Sequence, residues 1–439
     1  MMKTNDKVMA NILILYGTFR KRETTHDLLY CYKKYSSHRC FYLNINFSGI
    51  PWYVKKVSWD LIIFHTIFLS SRWSRELFAK NMQDAAFLKQ IKAVKVALPQ
   101  DEFLNVDLVC DFINEFNITH VFSVAPESQW PVIYRTVDLN KVKMHKVLTG
   151  YLDDAAISKV KNIAKTMPEE RPLDIGYRAR RAAYWLGRHG SLKWLIADKF
   201  QEKAPQKGLI TDISTRDEDT FRGDDWYRFL LNCKYQIGVD GGASILDWDG
   251  TYRKRTEEYL VEHPQATYEE VERECFPGVD GSLQLFALSP RHLEACLTRT
   301  CQILSEGSYN GVLIPGKHYI ELKRDFSNLD EVLDIIKNDK LRESLTQNAW
   351  DDVVASGNYT YRSLVENVIN TALEQVPPRK QSRLSEFWQT TVYYRMRLND
   401  KLAWLTLYLT LLLIPIILRV STHRKILRVL KFMKKLVAR

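Results

Sequence analysis

The chain has 439 residues, of which 46% are hydrophobic and 26% charged, a balance typical of a folded protein with two or three cores and unlike disordered or fibrous chains. Its net charge is +11, but eight Lys and Arg residues and no acid lie between 419 and 439, which leaves 55 basic against 52 acidic residues in the rest. A nucleic-acid-binding surface across the fold is therefore not expected. The seven cysteines form no Cys-x-x-Cys pair, as expected for reduced thiols of a cytosolic protein.

Short apolar runs alternate with amphipathic stretches through the first part of the chain. The runs are residues 11–16, 40–45, 60–64, 93–98 and 118–124. They are apolar without alternation, which is typical of strands in a parallel sheet that is covered on both faces. Residues 1–165 are therefore predicted to form one doubly wound, Rossmann-like α/β domain.

A second alternation begins near Pro172. Its predicted strands are residues 209–213, 235–239, 300–304 and 312–314, and its predicted helices are 220–231, 267–275 and 329–355. Residues 166–376 are thus predicted to form a second Rossmann-like domain. Two such domains in sequence generally face each other across a cleft, and ligands bind at the carboxyl ends of the strands.

The paired prolines after residue 376 predict a linker and helix over 377–400 and a separate C-terminal segment over 401–439. Residues 402–418 carry no charge but are short for a bilayer span. The residues that follow have a basic face opposite an apolar one, which suits an anionic membrane surface. The cations of this face are Arg424, Arg428, Lys431, Lys435 and Arg439.

A crossing at 402–418 from a cytosolic body would place eight positive charges outside, against the positive-inside rule. The segment is therefore expected to lie in the membrane interface, or to enter and return with a bend at Pro415. The alternative is a buried core helix with a solvated basic face.

Motifs of several enzyme classes are missing from the sequence, namely the Walker sequence, His-Glu-x-x-His and Gly-x-Ser-x-Gly. Asp247 and Asp249 have the Asp-x-Asp spacing with which two carboxylates can share a divalent ion. Gly250 follows them, and such aspartates are as readily turn formers. We predict no metal site.

A cluster of cations lies within residues 176–181, which follow a further predicted strand. Arg178 and Arg180 lie in it, and Lys193 comes shortly after. Arginine forks suit diphosphates, so the cluster is a candidate phosphate site. The alternative is a solvated basic turn and helix start.

Arg291 and Glu294 are three residues apart at a predicted helix start and would face the same way. Glu294 could accept both hydroxyls of a ribose while Arg291 holds phosphate oxygens; the alternative is a plain helical ion pair. Glu306 and His318 follow predicted strands, which are cleft positions in this architecture.

Several of these stretches together resemble the donor-binding half of bacterial group 1 glycosyltransferases of the GT-B fold, which build surface polysaccharides from nucleotide sugars. The stretches are 174–180 (DIGYRAR), 238–244 (GVDGGAS), 289–295 (SPRHLEA), 303–307 (ILSEG) and 318–328 (HYIELKRDFSN). The resemblance implies that Arg178 and Lys193 approach the donor diphosphate and that Glu294 binds the ribose. It implies further that Arg291 and Glu306 line the same site and that no cofactor is required.

The family's best-known members carry two glutamates with seven residues between them. Here the position eight before Glu294 is Phe286, and the position eight after it is Gln302. The family's retaining mechanism is therefore not carried over to this chain, and the anomeric outcome stays open.

Sugar transfer also needs a base for the acceptor hydroxyl, unless a donor phosphate serves as one. His65 follows the predicted strand 60–64, and Glu102 follows 93–98 with Asp101 beside it. These residues are candidate bases. The alternative for His65 is a hydrogen-bonded residue at a strand end.

The sequence predicts a glycosyltransferase that moves a sugar from a nucleotide diphosphosugar to a lipid-linked or membrane-proximal saccharide in cell-envelope polysaccharide assembly. We expect it at the cytoplasmic face of the inner membrane, attached through its C-terminal tail. A non-catalytic nucleotide-sugar-binding or scaffold subunit of the same fold is the alternative. An NAD-dependent oxidoreductase or epimerase has only the α/β alternation in its favour.

Overall fold

The strands of the computed structural model form two parallel sheets and a short antiparallel pair; it describes residues 9–18, 23–374, 376 and 383–420. The strands are β1 (Asn11–Tyr16), β2 (Arg39–Asn44), β3 (Leu61–Phe64), β4 (Val94–Ala97), β5 (His120–Ser123), β6 (Lys143–Lys146), β7 (Leu173–Arg178), β8 (Thr211–Ser214), β9 (Cys233–Gly238), β10 (Gly241–Ala243), β11 (Leu285–Ala287), β12 (Cys301–Ser305) and β13 (Tyr319–Leu322).

Helices connect these strands, and several of them begin at a side chain that accepts a hydrogen bond from the first turn, such as Ser74 and Asn338. The helices are α1 (Glu23–Tyr35), α2 (Ile45–Ser48), α3 (Thr66–Leu69), α4 (Arg75–Asp84), α5 (Val106–Glu115), α6 (Trp130–Ile133), α7 (Asp154–Ala164), α8 (Arg188–Lys203), α9 (Asp224–Asn232), α10 (Thr251–Glu262), α11 (Tyr268–Cys275), α12 (Pro290–Leu297), α13 (Leu329–Ile335), α14 (Asp339–Ala349), α15 (Tyr361–Leu373) and α16 (Arg383–Val420).

The first sheet has six parallel strands in the order β2-β1-β3-β4-β5-β6. Along β1, Leu13 and Leu15 pack into one core cluster while Ile12 and Ile14 pack into another on the opposite face. Burial on both faces explains why the strand is apolar throughout and does not alternate. The predicted parallel sheet of the first domain is confirmed.

The second sheet has five parallel strands in the order β13-β12-β9-β7-β8, and β10 pairs antiparallel with β11 beside it. The predicted second α/β unit is therefore confirmed, with two corrections. Residues 312–314 are not a strand; the edge strand is β13 instead. The predicted helix 329–355 consists of α13, α14 and a π-helical segment, Trp350–Ala355.

Two helices pack away from the sheet that precedes them. In α7, Ala156 and Val160 pack into a cluster with residues of the second unit such as Leu293. In α15, Leu364 and Val368 pack against the first sheet. The predicted domain boundaries, 165/166 and 376/377, assign α7 to the first domain and α15 to the second. In the structure, each of these two helices packs against the other domain.

The long helix α16 runs without interruption across residue 400, where the sequence predicted a boundary, and across Pro415, where it predicted a bend. Its first half packs against β2. Val392 and Met396 are buried there, in the core cluster on one face of the first sheet. Within the described residues, no helix has both the length and the apolar character to cross a bilayer. The five cations predicted on the basic face of the tail lie outside the described residues.

Candidate functional site

Charged side chains converge at the carboxyl edge of the second sheet, because the strands are parallel and their following loops meet there. Asp240, Glu306 and Arg324 follow strands β9, β12 and β13, and helices α8 and α12 begin at the same edge. The side chains of this group, which we call the cation cluster, are Lys193, Arg291, Arg324, His189, Asp240 and Glu294.

Lys193 lies at the centre of the cation cluster. Its side chain is half-buried, and no hydrogen bond or ion pair joins its ammonium to any described residue. Burial and the nearby Arg291 guanidinium lower the pKa of Lys193, while Asp101 and Asp240 act in the opposite direction. An enclosed lysine without a partner is a group that an anionic ligand would stabilise.

Arg291 and Glu294 lie on α12 at the end of β7. Arg291 Nη1 donates to the carbonyl oxygen of Arg178 at 2.5 Å, and its guanidinium lies 5.6 Å from the centre of the Trp226 ring. Trp226 Nε1 donates to Glu294 Oε2 at 2.7 Å, and burial raises the pKa of Glu294 to about 7. The helical ion pair that was the alternative for these two residues is not formed.

Buried polar atoms without hydrogen-bond partners lie beneath these cations. His189 Nε2 is 3.5 Å from Asp240 Oδ1, yet both imidazole nitrogens and both carboxylate oxygens lack a hydrogen bond to any described residue. Burial raises the pKa of Asp240 to about 6 and lowers that of His189 to about 3. Such groups are rare in protein interiors and indicate a site completed by ligand or water.

The Phe286 ring packs against two members of the cation cluster, His189 and Arg324. The Phe286 ring stacks on His189 at 3.9 Å between ring centres, and the Arg324 guanidinium lies 5.1 Å from the centre of the same ring. Glu306 Oε2 accepts the backbone N–H of Arg324, and the carbonyl oxygen of Glu306 accepts Arg324 Nε–H. A β-carbon at Gly307 would come within 2.7 Å of Asp240 Oδ2, so glycine is needed there.

Sequence reasoning missed three members of this arrangement, and for different reasons. Asp240 follows a strand that was predicted, so its position alone could have identified it. Arg324 follows β13, which was not predicted, so its place at the edge could not be inferred. Phe286 was identified in the sequence only by its position eight residues before Glu294, which does not show that its ring packs in the site.

The first sheet faces the cation cluster through the loop after β4. Fully buried Arg72 donates to the carbonyl oxygens of Leu69, Gln100, Asp101 and Leu104, and so shapes this loop. Asp101 has a positive φ of 55° and is open to solvent, yet it lies deep enough for burial to raise its pKa. The charges of Asp101 and Lys193 lie close enough to interact, so the carboxyl edges of the two sheets lie near each other; we call the space between them the cleft.

Glu102 does not reach this cleft. Its side chain is fully buried, and Oε1 accepts Ser123 Oγ–H at 2.5 Å and Tyr134 Oη–H at 3.1 Å. Burial raises its pKa to about 7. The prediction that Glu102 is a base for the acceptor is wrong for this structure, because a base must contact the hydroxyl; the neighbouring Asp101 is the accessible carboxylate.

His65 is also wrong as a candidate base. It is fully buried at the start of α3, where Nδ1 accepts the N–H of Ile67 at 3.2 Å and Nε2 lies 3.4 Å from the carbonyl oxygen of Leu28. Burial lowers the pKa of His65 to about 4. The alternative, a hydrogen-bonded residue at a strand end, is the one observed.

His318 lies at the opposite edge of the second sheet from the cation cluster. It precedes β13 and so stands at the amino end of that strand, whereas a strand at residues 312–314 would have placed it at the carboxyl end. Its Nδ1 accepts the N–H of Ile314 at 3.1 Å and its Nε2 lies 3.0 Å from Asp352 Oδ2. His318 joins this loop to the π-helical segment.

The Arg178 side chain forms all of its hydrogen bonds within the protein. Its side chain forms two 2.8 Å hydrogen bonds to the carboxylate of Asp212 and three more to the carbonyl oxygens of Tyr177, Asp212 and Asp219. All five N–H groups are used, so none is free for a diphosphate. Arg180 is exposed and pairs with Asp217 at 2.9 Å, as the solvated-turn alternative expects.

These two arginines give a matched test. Arg178→Gln is expected to lower the free energy of unfolding by about 2–3 kcal/mol, because it leaves the Asp212 carboxylate and three carbonyl groups without their donor. Arg180→Gln should change it by less than about 0.5 kcal/mol, since both partners are exposed. Denaturant unfolding of the two variants measures the difference; equal stabilities would contradict the structural role of Arg178.

Asp247 and Asp249 act as turn and helix-start residues. Asp247 accepts the N–H groups of Tyr252 and Arg253, and Asp249 accepts that of Thr251. Asp247 also pairs through its backbone with the loop after β4, since its N–H donates to Phe103 O and its carbonyl accepts Asn105 N–H. The described residues contain no group of three His, Cys, Asp or Glu placed to hold a metal ion.

Comparison with known proteins gives only distant similarities. No protein-family model matches the chain, and no curated protein matches its sequence. Among solved structures, the chain is similar to TarM at 10% identity and a TM-score of 0.43, over 79% of this chain and 58% of TarM. It therefore spans less than two thirds of that protein.

Two further solved structures are covered almost completely. HepE of Anabaena, in complex with UDP-glucose, is 13% identical with a TM-score of 0.46, over 83% of this chain and all of HepE. A glycosyltransferase of Rickettsia africae is 11% identical with a TM-score of 0.43, over 83% of this chain and 98% of that one. These values are too low to assign a family or an activity to the chain.

Proposed function

We propose that the chain is a glycosyltransferase that binds a nucleotide diphosphosugar at the cation cluster. Three cations that form no ion pair with a described residue carry this proposal. Lys193, Arg291 and Arg324 lie over buried polar atoms at the carboxyl edge of a parallel sheet. Nucleotides bind at such edges, and a diphosphate supplies the charge that these cations lack. The sequence resemblance to group 1 glycosyltransferases points to the same edge.

Three members of the cation cluster, Lys193, Arg291 and Glu294, have a role in sugar transfer. Breaking the bond between the sugar and the diphosphate leaves negative charge on the diphosphate, which Lys193 and Arg291 would stabilise. Glu294, held by Trp226, presents a carboxyl group to the ribose hydroxyls. Glu306 fixes the Arg324 backbone and so lines the site without contacting phosphate.

The acceptor would enter from the first sheet. Asp101 is the accessible carboxylate at that edge, and it faces Lys193 across the cleft. We propose that Asp101, or an oxygen of the donor diphosphate, takes the proton of the acceptor hydroxyl as the new bond to the sugar forms. No cofactor is needed for these steps.

The acceptor class and the location are proposed on separate grounds. The basic, apolar C-terminal tail of the sequence supports attachment to an anionic membrane surface at the cytoplasmic face of the inner membrane. A lipid-linked or membrane-proximal saccharide, as used in cell-envelope polysaccharide assembly, would be within reach of an enzyme held there.

A thermal-shift panel on the full chain tests the donor class, with nucleoside diphosphates, nucleotide sugars and NAD side by side. A ligand at 100 times its dissociation constant adds about 2.7 kcal/mol of stability. We expect a shift with one family of nucleoside diphosphates and a smaller shift with Glu294→Ala. A shift with NAD alone would contradict the proposal and favour an oxidoreductase.

One observation favours a second candidate function, a nucleotide-sugar-binding subunit without turnover. Phe286 occupies one of the two positions, eight before and eight after Glu294, at which the family that the sequence resembles would have a glutamate. Its ring lies between His189 and Arg324. In that case the nucleotide would bind with no sugar transferred to any acceptor.

A further inference from the structure

Helix α16 carries an exposed apolar stripe along the side that faces away from the protein. Its members are Leu384, Phe387, Trp388, Tyr394, Leu398, Leu402, Leu405 and Leu409, each between 47% and 78% exposed. At 100° per residue they fall within a sector of about 120°. We call them the outer stripe; a row of exposed apolar side chains of this length marks a contact surface.

The opposite side of α16 is held against the first sheet. Gln389 Oε1 accepts Asn11 Nδ2–H at the start of β1, and Asp400 bonds the hydroxyls of Tyr16, at the end of β1, and Tyr30. Burial raises the pKa of Asp400. These bonds set both the rotation of the helix and its direction, so the outer stripe cannot turn inward.

Charge decides which partner suits the outer stripe. The exposed cations Arg395, Arg397 and Lys401 lie within or beside it. Both acids of α16 point elsewhere, since Glu386 pairs with Arg39 at 3.3 Å and Asp400 is bound to the two tyrosines. A second copy of the chain would bring like charges together, whereas an anionic surface complements them.

A neighbouring turn extends the same surface. Trp52 is 59% exposed at the start of a short turn in which Lys55 and Lys56 are also exposed. The turn is joined to α16, because Asn399 Nδ2 donates to Tyr53 Oη at 2.6 Å and the Arg395 guanidinium lies over the Tyr53 ring. Tryptophan and tyrosine beside lysine and arginine are the side chains that settle at a membrane interface.

We propose that the outer stripe and the Trp52 turn form an in-plane binding site for an anionic lipid bilayer, with α16 lying along the membrane surface. This surface starts at Leu384, well before the apolar and basic residues of the tail. The first domain would therefore contact the membrane directly and would not be attached through the C-terminal tail alone.

The direction of α16 places the proposed membrane contact near the carboxyl edge of the first sheet. The helix runs alongside β1 from its amino end at Asn11 to its carboxyl end at Tyr16, so residues beyond Asp400 extend past the carboxyl edge of the first sheet. Asp101 lies at that same edge. If the proposed function holds, the acceptor side of the cleft opens next to the bilayer, where a lipid-linked saccharide would be found.

Single-cysteine labelling of the full chain tests the contact, and the seven native cysteines are all buried. An environment-sensitive fluorophore is attached to Phe387→Cys, Leu398→Cys or Leu405→Cys, with exposed Val261→Cys on α10 as the control. Vesicles of equal parts phosphatidylglycerol and phosphatidylcholine should shift the emission to the blue at the three α16 positions only. Vesicles of phosphatidylcholine alone should give a weaker shift.

Three results would overturn the proposal. A shift at Leu405→Cys without one at Phe387→Cys would mean that only the end of the helix touches lipid. A shift without vesicles that grows with protein concentration would show a second copy on the outer stripe. Equal shifts at all four positions would show non-specific adsorption.

A substitution series separates this surface from the tail. Leu398→Ser, Leu402→Ser and Leu405→Ser together should raise the apparent dissociation constant for the anionic vesicles about tenfold or more. The matched control replaces exposed Val132, Ile210 and Val261 by serine and should bind normally. Unchanged vesicle binding in the first variant, with a normal unfolding midpoint, would overturn the proposal. Vesicle binding requires no nucleotide, so its outcome is independent of the proposed enzyme activity.

Discussion

Lys193→Met is expected to weaken the binding of a nucleoside diphosphate about a hundredfold or more, while the free protein becomes more stable. The enclosed ammonium has no partner in the described structure, and burial together with repulsion by the neighbouring Arg291 lowers the pKa of Lys193. Removing it relieves that repulsion in the free protein and removes a charge-assisted bond to phosphate in the complex. Methionine keeps the apolar stem and most of the volume.

Calorimetric titration and denaturant unfolding measure the two effects on one preparation. Lys199→Met is the matched control, because Lys199 lies exposed on the same helix, α8. It should change neither affinity nor stability appreciably. A Lys193→Met variant that binds nucleotide normally would remove Lys193 from the site, and one that binds weakly because it is unfolded would show a lowered unfolding midpoint.

Glu102→Gln is expected to stabilise the protein at high pH and to leave its stability at low pH nearly unchanged. Burial raises the pKa of Glu102 to about 7, from the 4.5 of an unperturbed glutamate. Between these two values the folded state holds a proton that the unfolded state has lost, so stability falls as pH rises from about 4.5 to 7. The loss is on the order of 3 kcal/mol above pH 7, and glutamine does not titrate.

Unfolding free energies at pH 4.5 and pH 8 give the result directly. The difference between the variant and the natural chain should appear at pH 8 and vanish at pH 4.5. Glu127→Gln is the control, since Glu127 is an exposed carboxylate after β5. If Glu102→Gln were less stable than the natural chain at pH 8 but not at pH 4.5, the ionised carboxylate would be contributing hydrogen bonds, which would contradict the prediction.

The first sheet could be predicted because β3 and, after Asn11, β1 are apolar on both faces, and no other element type explains so short and uniform a run. The edge strand β13 could not, because Glu321 is exposed within it and no continuous apolar run marks it. That single omission misplaced His318 and concealed Arg324. Similarly, α15 packs against a sheet distant in sequence, which spacing alone does not reveal.

The site was harder to predict, because residue type does not show which groups a side chain already bonds. Arg178 and Lys193 look alike as phosphate ligands in the sequence, yet Arg178 uses all five N–H groups within the protein and Lys193 uses none. His65 and Glu102 follow strands as predicted, but their side chains point into the cores. Asp101, beside Glu102, faces the cleft only because buried Arg72 holds the loop in shape.

Incorporation of labelled sugar shows directly whether the cation cluster holds a nucleotide diphosphosugar during transfer. The full chain would be incubated with labelled nucleotide sugars and a membrane extract, and the label followed into the lipid-linked fraction. We predict incorporation from one class of donor, and a loss of about a hundredfold with Lys193→Met but none with Lys199→Met. Incorporation that survives Lys193→Met, or nucleotide binding without incorporation from any donor, would contradict this prediction.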